Sequence, residues 1–173
     1  MNTIAPELQV SAWLNTRGAL SLQQLRGKVV AIYAFQMLCP GCVSHGIPQA
    51  KAIRAAFSDQ EVAVIGLHSV FEHHDVMTRK ALEAFMHEYR IQFPVAIDQP
   101  SADGPIPLTM ERYGLRGTPT LLLIDRQGRL RYGHFGRVDD MAVGAQIGKL
   151  LGEAEAEAAP SAARCDDTAC SIG

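Results

Sequence analysis

The chain has 173 residues, 47% of them hydrophobic, and its 16 basic and 18 acidic residues leave a formal net charge of −2. The length predicts one domain with a sizeable core, and the near-neutral charge gives no electrostatic reason to expect nucleic acid or an anionic membrane surface as a partner. No apolar run approaches the roughly 20 residues of a membrane span, and the N-terminus lacks the pattern of a secretory signal, so we expect no membrane span and a cytoplasmic location, or a periplasmic one if a leader was removed.

The N-terminal half alternates between strand and helix patterns. Residues 8–14 predict a short strand, residues 28–35 a buried strand, and the unbroken apolar run at 62–67 a central strand covered on both faces. Apolar residues at helical spacing over 43–57 predict a helix. Pro48 should kink that helix, because proline has no backbone N–H to donate.

The C-terminal half continues this alternation. The sequence predicts a helix at about 78–90, a strand at 93–97, and a hairpin whose turn is at 125–128. Asp139 or Asp140 is placed to cap a last helix. Strands separated by helices, then a hairpin and a helix, predict an α/β sandwich with a mixed central sheet.

The sequence divides into a folded domain at 1–152 and a tail at 153–173. Beyond Pro160 the tail lacks the bulky apolar residues that a packed core needs, so we expect it to be flexible and disordered. It carries a second cysteine pair, Cys165 and Cys170.

Residues 39–42 read Cys-Pro-Gly-Cys and directly follow the buried strand predicted at 28–35. Positions three apart on a helix are neighbours, and the unpaired N–H groups of a helix start favour the thiolate, which is the form that attacks a disulfide. This spacing favours reversible thiol–disulfide exchange. A Cys-x-x-Cys pair is also typical of half a structural zinc site, but the two remaining cysteines are far away in the tail.

Taken together, these motifs resemble a known superfamily. The order of elements, the dithiol after the second strand, and Gly-Thr-Pro-Thr at 117–120 are similar to those of the thioredoxin superfamily. Residues 6–8 and 20–30 are similar to its TlpA/redoxin branch. The resemblance covers about 5–151 and implies a thioredoxin-like three-layer sandwich with an N-terminal hairpin extension and an insertion at about 68–77.

The resemblance also implies roles for the dithiol and for one loop. The Thr118–Pro119 peptide bond should be cis, in a loop that lies against the sulfurs, pairs with an extended substrate segment and keeps metal away. Cys39, at the helix start, is the predicted attacking thiolate, and Cys42, one turn deeper, resolves the mixed disulfide. We expect neither a cofactor nor a metal.

Three positions depart from the family pattern. Leu38 stands where Trp is common, Tyr33 stands where many thioredoxins carry a buried carboxylate, and Pro48 is about one residue late. Without that carboxylate, Cys42 needs another proton acceptor. We predict His68, which should lie on the same sheet edge as the dithiol and titrates near neutrality; Glu72 is a weaker candidate.

Two further segments carry residue types with redox or metal chemistry. Residues 71–75 (Phe-Glu-His-His-Asp) include common metal ligands, but adjacent histidines often point apart, and we interpret the segment as a solvated loop. A flexible stretch of about 13 residues reaches roughly 20 Å, so Cys165 and Cys170 are candidates for a redox relay to the dithiol. A loose disulfide or two idle thiols is the alternative.

The sequence therefore predicts a thiol–disulfide oxidoreductase that acts on a disulfide-bearing protein or small molecule and needs an upstream reductant. A peroxiredoxin-like thiol peroxidase is one alternative. The usual Pro-x-x-x-Thr/Ser-x-x-Cys frame is absent, however, because Ile32 lies seven residues before Cys39, where the proline would be, and Gln36 lies three before it, where the Thr or Ser would be. A non-enzymatic metal-binding module is the other.

Overall fold

The computed structural model describes residues 3–158, which form one mixed sheet with helices and loops on both faces. The strands are β1 (Thr3–Ile4), β2 (Val10–Leu14), β3 (Val29–Phe35), β4 (Val62–His68), β5 (Val95–Asp98), β6 (Thr120–Ile124) and β7 (Arg129–Phe135). The helices are α1 (Ile47–Ala56), α2 (Arg79–Glu88), α3 (Leu108–Arg112) and α4 (Asp140–Ala158), and a π-helical segment (Cys42–Gly46) leads into α1.

The strand order is β1-β7-β6-β3-β4-β5-β2. The pairs β3–β4 and β4–β5 are parallel, and the other neighbours are antiparallel. The parallel strands are joined through helices, as such connections require. The predicted α/β class with a mixed central sheet is confirmed.

The central strand β3 is buried on both faces, so the core has two halves. On what we call the dithiol face, Tyr33 and Phe35 belong to a cluster that includes Cys42 and side chains of α1, α2 and α4. On the opposite face, Ile32 and Ala34 pack with the N-terminal segment and with the chain that follows α3. The result is three layers.

The predicted N-terminal hairpin is wrong. β1 pairs with β7 and β2 pairs with β5, so the two strands lie on opposite edges of the sheet. The segment between them crosses the opposite face, where Ala5 is buried and Leu8 packs against the core. The Glu7 carboxylate accepts hydrogen bonds from the backbone N–H groups of Leu22 and Gln23, both at 2.8 Å. A tight turn would have removed these apolar residues from the core.

The helix after the dithiol is interrupted upstream of Pro48. The Ile47 N–H donates to the Cys42 carbonyl, an i to i+5 bond that widens the turn. Pro48 follows within the first turn of α1, where its missing N–H costs least. The predicted helix over 43–57 is therefore a π-helical segment followed by α1, with Pro48 near the start of α1.

The last helix begins where its cap was predicted, because Asp139 Oδ1 accepts the N–H groups of Met141 at 2.9 Å and Ala142 at 3.3 Å. It continues to Ala158, past the predicted boundary at residue 152. Cys165 and Cys170 lie outside the described residues. Across 3–158, no helix is both long and apolar enough to cross a membrane.

Candidate functional site

The dithiol lies where β3 passes into a helix. The Cys39 N–H donates to the Gln36 carbonyl at 3.3 Å, and the Cys39 carbonyl then accepts the N–H groups of Cys42 at 3.0 Å and Val43 at 3.1 Å. Helical hydrogen bonding therefore begins at Cys39. Its side chain is partly exposed, whereas Cys42 is completely buried, and both thiols are free.

The Cys39 sulfur has two polar contacts with the backbone. The Cys42 N–H donates to Cys39 Sγ at 3.3 Å, and Cys39 Sγ lies 3.4 Å from the Thr118 carbonyl oxygen, to which the thiol donates. An N–H group directed at a sulfur favours its charged form. The first contact links the sulfur to the start of the dithiol helix, and the second links it to the loop before β6.

The Cys42 thiol lies in a different environment. Burial and its hydrogen bond with Cys39 raise the pKa of Cys42 to about 12, against opposing hydrogen bonds from the Gln36 backbone and the Thr118 side chain. At neutral pH this thiol keeps its proton, so it requires a base before it can act as a nucleophile. The exposed sulfur is thus suited to first attack and the buried one to a second step.

The loop before β6 packs directly onto the dithiol helix. The Thr118–Pro119 peptide bond is cis. A Cβ added at Gly41 would lie 3.2 Å from Pro119 Cδ, and one added at Gly46 would lie 3.1 Å from Pro119 Cβ. The missing side chains at these two glycines let the proline approach the helix closely.

Backbone and hydroxyl contacts hold the same loop to the sheet. The Thr120 hydroxyl donates to the Gly117 carbonyl at 2.7 Å, and the Gly136 N–H donates to the Pro119 carbonyl at 2.8 Å. Two large apolar side chains are exposed beside the site: Leu38, which precedes Cys39, and Phe135, whose ring contacts Gly117. The loop is therefore fixed by β6 and β7 rather than by the dithiol alone.

Tyr33, at the position where a carboxylate is common, points into its own hydrogen-bond network. Its hydroxyl donates to Gln49 Oε1, and Gln49 Nε2 donates to the Val138 carbonyl at 2.9 Å and to Asp140 Oδ1 at 2.5 Å. Burial and the Asp140 charge raise the pKa of Tyr33 far above its usual range. This phenol cannot replace a carboxylate as a base at neutral pH.

His68 ends β4 and is 1% exposed. It is aligned with Phe35 of β3, and the two ring centroids are 5.3 Å apart, which places His68 on the dithiol face. Burial lowers its pKa to about 4, so the imidazole is neutral at physiological pH. Its Nε2 has no hydrogen-bond partner, and neither amide atom of the buried Gln36 has one.

Only some of the predicted site residues lie together at the dithiol. Cys39 contacts both Cys42 and Thr118, and Pro119 packs against Gly41, which lies between the two cysteines. Glu72 and the rest of 72–76 are exposed, and within the described residues no group of three or more His, Cys, Asp or Glu side chains could hold a metal ion. The tail cysteines lie outside the described residues.

Sequence reasoning missed Gln36 as a member of this region. It is 1% exposed, and its backbone contacts both cysteines. The available signal was an amide side chain between Phe35 and Met37, in an otherwise apolar run that leads into Cys39.

Comparison with known proteins agrees with the fold. The model of the AhpC/TSA family matches residues 1–133. The crystal structure of a thioredoxin-like superfamily protein is 59% identical, with a TM-score of 0.85, over 87% of this chain and 97% of that one. A thiol-disulfide isomerase from Corynebacterium glutamicum is 53% identical, with a TM-score of 0.83, over 87% of this chain and 96% of that one.

Two curated relatives are longer than the matched region. NHL repeat-containing protein 2 from Gallus gallus is 30% identical over 127 residues, which are 72% of this chain and 16% of that protein. The thiol-disulfide oxidoreductase ResA from Halalkalibacterium halodurans is 24% identical over 125 residues, 72% of this chain and 64% of ResA. This chain thus spans less than two thirds of either relative. From the family match and the two similar structures, it belongs to the AhpC/TSA family, within the thioredoxin superfamily.

Proposed function

We propose that this chain is a thiol–disulfide oxidoreductase that exchanges electrons with disulfide-bearing proteins or small molecules through Cys39 and Cys42. The observation that carries the proposal is the asymmetry of the two thiols. Cys39 is partly exposed and receives an N–H at 3.3 Å, whereas Cys42 is buried and its pKa is raised to about 12. Cys39 is therefore accessible for the first attack on a client disulfide, and Cys42 reacts in the second exchange.

The reaction proceeds in two exchanges. The Cys39 thiolate attacks one sulfur of the client disulfide, forms a mixed disulfide and releases the first client thiolate, which takes up a proton. Cys42 then loses its proton and attacks the Cys39 sulfur. A Cys39–Cys42 disulfide forms, the second client thiol leaves, and the client has gained two electrons. An upstream reductant must restore the dithiol.

In this mechanism Thr118 and Pro119 position the client and protect the dithiol. The Thr118 carbonyl lies 3.4 Å from the Cys39 sulfur, so a client segment bound along this loop would bring its disulfide to that sulfur. Pro119 contacts the helix at Gly41 and Gly46. That packing leaves little room beside the sulfurs for the further ligands that a zinc ion requires.

The direction of electron flow depends on the compartment. In a cytosol held at a reducing potential, the protein would act as a reductant, and in an oxidising compartment the same dithiol would act on reduced clients. We propose the cytoplasmic role. A redox titration against glutathione measures the potential, and a value well above that of the cytosolic pool would contradict this role.

The main test is exchange activity with insulin or another disulfide as acceptor. We expect Cys39→Ser and Cys42→Ser to reduce exchange to background, and the double variant Cys165→Ser/Cys170→Ser, as the matched control, to keep the dithiol chemistry. Exchange that survives loss of Cys39 would refute the proposal. Peroxide consumption far faster than that of free cysteine would instead identify a thiol peroxidase, and stoichiometric bound zinc would identify a metal-binding module.

We further propose that Cys165 and Cys170 relay electrons between the dithiol and a partner. The reason is the presence of a second thiol pair in the same chain, on a segment whose length, if it is flexible, would allow a reach of roughly 20 Å. In Cys42→Ser, Cys39 should form a disulfide with a tail cysteine that mass spectrometry can map. If no bond between the domain and the tail is found under oxidising conditions, the relay does not exist.

A further inference from the structure

A positively charged side chain lies over an aromatic ring next to the loop that contacts Cys39. The Arg116 guanidinium carbon is 5.6 Å from the centroid of the Phe135 ring. That ring in turn packs against Gly117, where an added Cβ would lie 2.9 Å from Phe135 Cε2. Arg116 and Phe135 are both exposed, so the pair is part of the protein surface and is open to a second molecule.

The end of β7 holds this pair in place. Phe135 is the last residue of β7 and is aligned with Thr120 of β6, and the next residue, Gly136, donates its N–H to the Pro119 carbonyl at 2.8 Å. The attraction between the Arg116 cation and the ring requires none of the five N–H donors of the guanidinium. These donors therefore remain able to bind a carboxylate through two parallel hydrogen bonds.

No acidic side chain in the described part of the chain pairs with this cation. Within residues 3–158, the ion pairs made by arginine involve Arg54, Arg79 and Arg131, and none involves Arg116. Unpaired arginines are common on protein surfaces. What distinguishes Arg116 is its support by a ring and its place in the chain beside the loop that contacts Cys39.

Arg116 is close enough to the reacting sulfur to contact a bound client. It precedes Thr118 by two residues, and the Thr118 carbonyl oxygen is 3.4 Å from Cys39 Sγ. Because two residues span at most about 7 Å, the Arg116 Cα is no more than about 13 Å from that sulfur. A client whose cysteine is bonded to Cys39 can therefore bring a residue two or three positions from that cysteine to the guanidinium.

We infer that Arg116, held over Phe135, binds an acidic side chain of the client that lies within three residues of the cysteine bonded to Cys39. The occupant is a disulfide-bearing client segment with an aspartate or glutamate at that distance, chosen because its charge complements the unpaired cation. The inference rests on the proposed function and adds a preference among clients. Arg116 determines specificity and takes no part in the exchange of bonds.

The test is a double-mutant cycle between the client and the protein. Two symmetrical peptide disulfides, identical except for an Asp or an Asn two residues before the cysteine, react with the wild type and with Arg116→Gln, both carrying Cys165→Ser and Cys170→Ser. Rapid quenching and mass spectrometry measure the rate at which the mixed disulfide with Cys39 forms. Comparing the Asp-to-Asn rate ratio between the two proteins cancels any intrinsic effect of Asp on the reactivity of the peptide disulfide.

We expect Arg116→Gln to lower the Asp-to-Asn rate ratio by about fivefold, the upper range for an exposed ion pair. The difference should shrink in high salt, which screens exposed charges. Phe135→Leu, which removes the ring beneath the guanidinium, should lower the ratio in the same direction. Arg17→Gln is the matched control, because it removes the same charge from an exposed arginine in the segment after β2, at the other edge of the sheet, and it should keep the wild-type ratio.

Each outcome decides the inference. An equal rate ratio in the wild type and Arg116→Gln, or an equal fall in Arg17→Gln, would overturn it. Faster exchange with both peptides in Arg116→Gln would also overturn it, because the guanidinium would then be occupied by Asp166 and Asp167 of the tail rather than by a client. If the wild type forms no mixed disulfide with either peptide, the proposed function fails instead.

Discussion

The two faces of the sheet contain buried polar groups in contrasting states. On the opposite face, the buried Asp98 at the end of β5 accepts hydrogen bonds from the Ser69 hydroxyl at 2.8 Å and from the backbone N–H groups of Thr109 at 2.8 Å and Met110 at 3.0 Å. On the dithiol face, His68 is as deeply buried, but its Nε2 has no hydrogen-bond partner.

The contrast separates a structural polar cluster from a buried imidazole. Asp98 holds the start of α3, and Thr109 in turn exchanges two hydrogen bonds with the Gln9 backbone, at 2.8 and 2.9 Å, next to β2. These bonds fasten an edge of the sheet. His68 Nε2 makes no such bond, and the imidazole packs against the Phe35 ring instead.

The largest expected effect breaks the satisfied cluster. Asp98→Ala leaves three buried donors without an acceptor, and at about 1–3 kcal/mol for each such group we expect the free energy of unfolding to fall by roughly 3–5 kcal/mol. Denaturant titration measures the loss, and the exposed Asp103 supplies the control Asp103→Ala. A loss below about 1 kcal/mol would show that water can replace the carboxylate.

The next prediction concerns the pH dependence of stability. The pKa of His68 is lowered from 6.5 to about 4 by burial, so between these values the unfolded chain binds a proton that the native protein does not. Stability should be fully present above pH 6.5 and decrease as the pH falls toward 4, by roughly 3 kcal/mol at about 1.4 kcal/mol for each pH unit. In His68→Leu this slope should disappear while stability at pH 7 changes little; an unchanged slope would contradict the assignment.

A smaller effect tests the contact between the loop and the dithiol helix. Gly46→Ala introduces a Cβ 3.1 Å from Pro119, so the loop must shift by a few tenths of an ångström. We expect about 1 kcal/mol less stability and a several-fold slower first exchange. Gly148→Ala is the control, because its Cβ meets nothing within 4 Å and should stabilise α4 by about 0.5–1 kcal/mol. Equal behaviour of the two variants would exclude a role for the contact.

The smallest effect involves a polar cluster at the surface. Arg131 of β7 contacts Asp125 at 3.0 Å and Glu153 of α4 at 2.6 Å, and its side chain is 26% exposed. Because partly exposed ion pairs are screened by solvent and salt, Arg131→Met should cost only about 0.5–1 kcal/mol. The loss should shrink in high salt; a salt-independent loss would point to packing instead.

The sequence was informative where the pattern is local. The apolar run at 62–67 corresponds to β4, and the two cysteines lie at the start of a helix, as their spacing predicted. Both predictions depend only on residues that are neighbours in the sequence. α3 was not predicted, because its five residues are too few to display a helical period. It is held instead by Asp98, which is distant in the chain.

Features of the site and of the sheet edges that depend on residues distant in the chain could not be predicted from the sequence either. Nothing near Gln36 in the sequence indicates that its amide would be buried without a partner, since that depends on how distant segments pack around it. The N-terminal hairpin was expected from the family resemblance, but β1 and β2 pair with β7 and β5. Pairing between distant segments leaves no local signature.

The path of the N-terminal segment also sets the order in which the domain can be completed. Thr3 is aligned with Leu130, and Gln9 is bonded to Thr109, 100 residues further along the chain, so residues 3–9 bind to segments that are synthesised much later. Contacts so remote in sequence form slowly, because a large loop must close first. Residues 3–9 are therefore among the last parts of this domain to become ordered, and they complete both edges of a sheet whose centre has already assembled.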